Sequence, residues 1–263
     1  MSDVAESVSP AGGTHAGVRA RAFVRALGLV SSVGRLILDA RTDASPSALV
    51  FAPRAQRTAR RILSAHGVEV RTAGRAPEVP AILVANHVSY LDPLVVSSVA
   101  PCVSIAKGET AGWPLIGRGL RALGVLFVRR GDAHSGAVAL RRALRALRSG
   151  AAVLNFPEGT TCDGREVGPF CRGCFGLAPL ARVPLVPTSI VYDDERVPWY
   201  GGTAFLPHYW KLAGARSVVA RVSFGEPLSA DEVADAEDVA TELSLRARSA
   251  VAAMARRARA ERA

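Results

Sequence analysis

The chain has 263 residues, 49% of them hydrophobic, which allows a sizeable core and excludes global disorder. Its 33 Lys and Arg against 23 Asp and Glu leave a net charge of +10. That balance suits an anionic partner, whether nucleic acid, an anionic membrane surface or a phosphorylated substrate, although an Ala- and Arg-rich composition also accompanies GC-rich coding sequence.

Residues 1–17 are rich in Ser, Gly, Ala and Pro without periodicity, and are expected to form a disordered tail. A helix is predicted from Val18 to about Ala40: Arg19, Arg21 and Arg25 lead, Ala26 to Gly34 carries no charge, and Arg35 and Asp39 close it. The uncharged segment is far shorter than the roughly 20 residues that span a bilayer, and no secretory signal precedes it. Such a helix either lies in a lipid interface with its arginines toward the head groups or packs on the core. Arg54 to His66 reads as a second basic helix stopped by Gly67, so 18–70 is expected to be a pair of membrane-interface helices.

From 71 to 228 apolar strands alternate with helices. Ala81–Ala85 is a strand that runs into the polar turn Asn86-His87-Val88-Ser89-Tyr90-Leu91-Asp92 and then, with Pro93 at its first turn, a helix for which Asp92 is the expected N-cap. Cys102–Ala106 is a strand ending at Lys107. A helix around Pro114–Leu123 leads to the strand Gly124–Val128, which ends in Arg129-Arg130. His134–Ser149 is an amphipathic helix with Gly150 as its stop. Ala152–Phe156 is a strand that runs into Pro157-Glu158-Gly159-Thr160-Thr161, and Leu185–Val191 and Val218–Phe224 are further strands. Residues 229–263 read as a helical tail rich in Ala and Arg. The alternation predicts an α/β fold with a mostly parallel sheet flanked by helices.

In an open parallel sheet, ligands bind beyond the carboxyl ends of the strands. The polar turns after the strands are therefore expected to share one cleft. In a turn, the Asp92 carboxylate can fold back on His87, fix its tautomer and leave the other ring nitrogen as a general base. Equally, the pair can be a polar loop that only caps a helix. Lys107 and Arg130 supply cations, and Gly159 allows backbone amides to approach a ligand.

Other chemistries lack their signatures. There is no Gly-x-Ser-x-Gly elbow, no Walker A loop and no Gly-x-Gly-x-x-Gly turn. The arginines lack interleaved aromatics and any reading module, so no nucleic acid partner is expected. Cys171 and Cys174 have zinc-knuckle spacing, but no second pair or nearby histidine follows, and no metal is expected. Cys162 reads as a packing residue.

Four segments carry a family resemblance. Asn86 to Asp92 resembles the His-x4-Asp motif of the lysophosphatidic acid acyltransferase-like glycerolipid acyltransferases. Gly124 to Arg130 is similar to their second motif, Phe156-Pro157-Glu158-Gly159-Thr160 to the core of the third, and Val183 to Pro187 to the fourth. The resemblance covers about Val79 to Leu228 and implies an O-acyltransferase acting on a lysophospholipid such as 1-acyl-sn-glycerol-3-phosphate. In that reading His87 is the base and Asp92 its orienter. Asn86, Ser89, Lys107, Arg130, Glu158, Gly159, Thr160 and Thr161 contact substrate. Acyl-CoA or acyl-carrier protein is the co-substrate, no cofactor is required, and the enzyme is expected at the cytoplasmic face of an anionic membrane, either peripheral or monotopic.

One position departs from the family pattern. Thr161 stands where the third motif commonly carries arginine. Together with Trp199-Tyr200-Gly201 and Phe205 to His208, this resembles the branches that acylate lyso-ornithine lipid or lysophosphatidylcholine. Arg172 is a candidate for the replacement charge, and His208 is either a branch-specific site residue or a structural turn histidine.

Overall fold

A computed structural model describes residues 15–41, 47–78 and 80–262. Its strands are Val68–Ala73 (β1), Ile82–Ala85 (β2), Cys102–Lys107 (β3), Leu126–Val128 (β4), Ala152–Asn155 (β5), Leu185–Tyr192 (β6) and Val218–Phe224 (β7). They form one sheet in the order β1-β7-β6-β2-β5-β3-β4. All neighbours pair in parallel except β6 with β7. The sheet is therefore mostly parallel, as the alternation predicts. β2 lies at its centre with every residue buried, which is why it reads as an unbroken apolar run and not as an alternating strand.

The helices are His15–Arg41 (α1), Ala48–Ala65 (α2), Asp92–Val99 (α3), Ile116–Ala122 (α4), Ala133–Arg148 (α5), Leu177–Ala181 (α6), Phe205–Ala213 (α7) and Val239–Ala260 (α8). Alternate strand residues face opposite layers. Leu83, Ala85 and Leu154 pack with Leu63 of α2 and with Val95 and Val96 of α3. Ile82, Val84 and Val153 pack with Ala143 and Leu147 of α5 and with Leu243 and Ala247 of α8. Because β2 to β5 run parallel, their carboxyl ends open on one side, and the polar turns gather there.

Several boundaries differ from expectation. α1 begins at His15, so the last three residues of the expected tail are helical, and residues 1–14 lie outside the described residues. α2 starts at Ala48 rather than Arg54 and keeps Pro53 in its second turn, at the cost of one backbone bond. β1 was not anticipated and runs across the expected boundary at 70/71. It is a short edge strand whose pattern, Val68 and Val70 half-buried between exposed Glu69 and Arg71, is too brief to stand out. α7 was also unanticipated.

The α1 arginines do not all face outward. Buried Arg25 donates from Nη1 to the carbonyls of Ala213 (3.1 Å) and Ala215 (2.6 Å), and from Nη2 to that of Arg216 (3.2 Å). Arg21 donates to the Gly214 carbonyl at 2.8 Å. Carbonyls at a helix C-terminus lack intrahelical donors, so the two guanidiniums cap α7 and fasten α1 to it. Of the two arrangements expected for these arginines, Arg21 and Arg25 take the one packed on the protein and do not point at head groups. The middle of α1 carries an exposed apolar stripe, Phe23, Val24, Leu27 and Val30, and Leu206 and Trp210 on α7 are exposed as well. No helix among the described residues is long and apolar enough to cross a membrane.

Candidate active site

The turn after β2 wraps around the Asp92 carboxylate. Oδ2 accepts the backbone N–H of Val88 at 2.6 Å and of Ser89 at 2.9 Å, and lies 2.8 Å from His87 Nδ1. Oδ1 accepts the Tyr192 hydroxyl at 2.7 Å. Asp92 is fully buried while His87 is 20% exposed. Asp92 is not the N-cap that Pro93 suggests: it is the first residue of α3, and its side chain turns back to the preceding loop.

An oxygen that already takes two backbone N–H groups belongs to a carboxylate acceptor. His87 must therefore donate its Nδ1–H to it, which leaves the Nε2 lone pair free. The ring stacks on Phe156, with centroids 4.1 Å apart and planes 19° apart. The carbonyls of the turn are held as well: His87 O accepts Cys162 N–H and Val88 O accepts Trp199 N–H, both at 2.9 Å. The sequence alone leaves a catalytic pair and a capping loop equally open; in the structure the carboxylate fixes the orientation of the imidazole.

His87 opens on a cleft of about 710 Å³. Lys107, Arg130, Gly159, Thr160 and Thr161 line its polar end, so the ends of β3, β4 and β5 do converge. Gly159 has φ +71°, a left-handed turn that a larger residue would strain, and its N–H donates to Phe156 O at 3.0 Å. Lys107 and Glu109 form an ion pair at 3.3 Å, and both face the same space as Arg130. Away from His87 the cleft becomes an apolar channel between Leu29, Val33 and Leu36 of α1, Ile62 of α2, and Ile116 and Leu120 around α4.

Three expected substrate contacts lie elsewhere. Asn86 is buried and holds β2 to β6: its Nδ2 donates to Ile190 O at 2.9 Å and its Oδ1 accepts Ile190 N–H at 2.8 Å. Ser89 is fully buried, with its N–H spent on Asp92. Glu158 is not in the cleft wall. It tucks behind the turn against Gly168, its Oε1 is buried without a hydrogen-bond partner among the described residues, and burial pushes its carboxyl above the usual 4.5. Arg172 pairs with Asp238 at 2.7 Å rather than replacing a cleft cation. His208 contacts Tyr90 OH (3.2 Å) and Pro198 O (3.1 Å), and so props the aromatic side of the cleft from behind.

Side chains outside the four motifs also build the site. Trp113, Trp199 and Phe205 wall the cleft beside Tyr90, with ring centroids 4.9–6.5 Å apart. Asn155 lines it and donates to Cys174 Sγ at 3.0 Å. Cys162 sits under the turn, its thiol pushed up to about 12 by burial and then by Glu158, which suits a packing residue. Among the described residues no group of three or more His, Cys, Asp or Glu could hold a metal ion.

The Acyltransferase family model matches residues 67–191. A lyso-ornithine lipid O-acyltransferase of Pseudomonas aeruginosa is 33% identical over 182 residues, 67% of this chain and 70% of that protein. The chain belongs to the acyltransferase family. A lyso-ornithine lipid O-acyltransferase of Rhizobium meliloti is 31% identical, covering 69% of each chain. A 1-acyl-sn-glycerol-3-phosphate acyltransferase of Neisseria meningitidis is 28% identical over 68% of this chain and 72% of its own. The fold of this acyltransferase is that of the lysophosphatidic acid acyltransferase PlsC from Thermotoga maritima, with a TM-score of 0.67 and 19% identity over 92% and 95% of the two chains.

Proposed function

We propose that this acyltransferase moves a fatty acyl group from an acyl thioester, on coenzyme A or an acyl carrier protein, to the hydroxyl of a lysolipid. The observation that carries this reading is the His87–Asp92 pair at the polar end of a cleft that continues as an apolar channel. His87 Nε2 takes the proton from the acceptor hydroxyl as its oxygen attacks the thioester carbon. The C–O bond forms, the C–S bond breaks, and the thiolate receives the proton from Nε2. Asp92 stabilises the imidazolium in between. No cofactor or covalent acyl-enzyme is needed, and the channel holds the acyl chain.

The acceptor we favour is a lyso-ornithine lipid. Thr161 at the usual arginine position and the Lys107, Glu109, Arg130 group support it. A headgroup with one carboxylate and one ammonium complements alternating charges better than a phosphate does, because Glu109 repels a phosphate. A second reading, 1-acyl-sn-glycerol-3-phosphate as acceptor, is supported by two cations, Lys107 and Arg130, in the same wall. The exposed apolar faces of α1 and α7 would rest in the lipid interface on the cytoplasmic side, with 18–70 as the membrane-facing segment.

The test is transfer of a radiolabelled acyl chain from its thioester to a panel of lysolipids that includes both acceptors. We expect diacylated ornithine lipid from the wild type and none from His87→Ala. Retained turnover in that variant refutes the catalytic assignment, and a preference for the phosphate acceptor selects the second reading.

A further inference from the structure

A second hollow, of about 390 Å³, lies outside the cleft, between the segment after Cys162 and the outer face of α8. Arg165, Arg248, Arg256 and Arg259 line it, and Glu166 is its one acidic residue. On α8, Leu245, Arg248, Ser249, Ala252, Arg256 and Arg259 each lie three or four residues from another of the set and so share one face. Leu245 is 58% exposed there.

The hollow is tied to the catalytic turn. Arg259 donates to Gly164 O at 2.6 Å, and Arg248 to Gly168 O (2.7 Å) and Val167 O (2.9 Å). A Cβ on Gly164 would lie 3.1 Å from Val88, the neighbour of His87, and the same segment begins with Cys162 N–H on His87 O. Thr161 faces the cleft and Arg165 the hollow, four residues apart, so at most about 14 Å of extended chain separates them.

We propose that this face of α8 docks a small acidic carrier protein that presents the acyl thioester on its arm. The proposal rests on the thioester-donor reading above and specifies its carrier. The arginines from 248 to 259 spread over about 16 Å of helix, which suits a row of carboxylates rather than one phosphate. The hollow holds no aromatic side chain on which an adenine would stack. A lipid surface fits less well: the exposed apolar stripe lies on α1, which packs on α2, α4 and α7. Charges at such a rim act mainly on encounter and on its salt dependence.

Arg165 and Arg256 are the residues to reverse. Arg165 is 89% exposed, with Asp163 at 3.6 Å, and Arg256 is exposed on α8, so reversing them leaves the core untouched. The double variant Arg165→Glu, Arg256→Glu is compared with wild type in binding of a purified holo acyl carrier protein and in turnover with the same acyl chain on either carrier. The expected result is binding weakened about tenfold or more, a matching rise in KM for the carrier protein, and unchanged turnover with acyl-CoA. Direct binding reads the docking face even if neither thioester is turned over, which separates this proposal from the donor reading. Unchanged carrier binding overturns the docking face. So does an equal loss with acyl-CoA, which would mark a nucleotide site, or loss confined to anionic liposome binding, which would mark a membrane surface.

Discussion

Tyr192 reaches across 100 residues of sequence to donate its hydroxyl to Asp92 Oδ1 at 2.7 Å. With Val88 and Ser89 on the other oxygen, the carboxylate is held on both sides before it meets His87. Burial, and then the neighbouring carboxylate, raise the phenol well above its usual value, so it stays a donor. Tyr192→Phe leaves Oδ1 buried and unpaired. We expect a stability loss of about 1–3 kcal/mol in thermal denaturation and a drop in kcat of roughly tenfold with little change in KM.

Asp92→Asn separates charge from shape. The amide oxygen can still accept from Val88 and Ser89, and Tyr192 can turn to accept from the amide nitrogen, so the variant should fold. Without the negative charge the imidazolium loses its stabilisation, and kcat should fall roughly a thousandfold in steady-state transfer assays. His87→Ala should fall at least as far, and the double variant no further than the worse single, because the pair acts as a unit.

Arg25→Ala removes three hydrogen bonds to the carbonyls at the end of α7 and leaves them near a buried gap. A loss of about 2–3 kcal/mol is expected in chemical denaturation. Arg19→Ala, at an exposed site on the same helix, should stay within about 0.5 kcal/mol of wild type.

Glu158 predicts a pH dependence of stability. Its folded carboxyl lies above the ordinary 4.5 because it is buried, so the folded state favours the protonated form. The stability it contributes is complete below pH 4.5 and is lost as the pH rises through the folded value. Glu158→Gln keeps the shape without the charge. It should melt higher than wild type near neutral pH, and the difference should vanish in acid.

The sheet and the convergence of its turns were legible because buried parallel strands read as apolar runs and their ends as polar punctuation, as at Ala85-Asn86-His87. The roles within a turn were not. Nothing local distinguishes Asn86, which ties β2 to β6, from a substrate ligand, since both uses call for a polar residue after a strand. Tyr192 lies just past the expected strand Leu185–Val191, and its partner is set by β6 lying next to β2 in the sheet. α7 hid behind Pro207 in an aromatic-rich segment of only nine residues, and α1 adds caps to its end beyond those of its own backbone.

α1 has two faces with separate duties. Leu29, Val33 and Leu36 wall the channel, while Phe23, Val24, Leu27 and Val30 face away from the protein. Each residue advances a helix by about 100°, so inserting a single residue after Gly28 would swing Val33 and Leu36 out of the channel while Arg21 and Arg25 stayed anchored. The bore that admits an acyl chain and the surface turned outward are thus written in one reading frame of turns, and neither can drift in evolution without dragging the other.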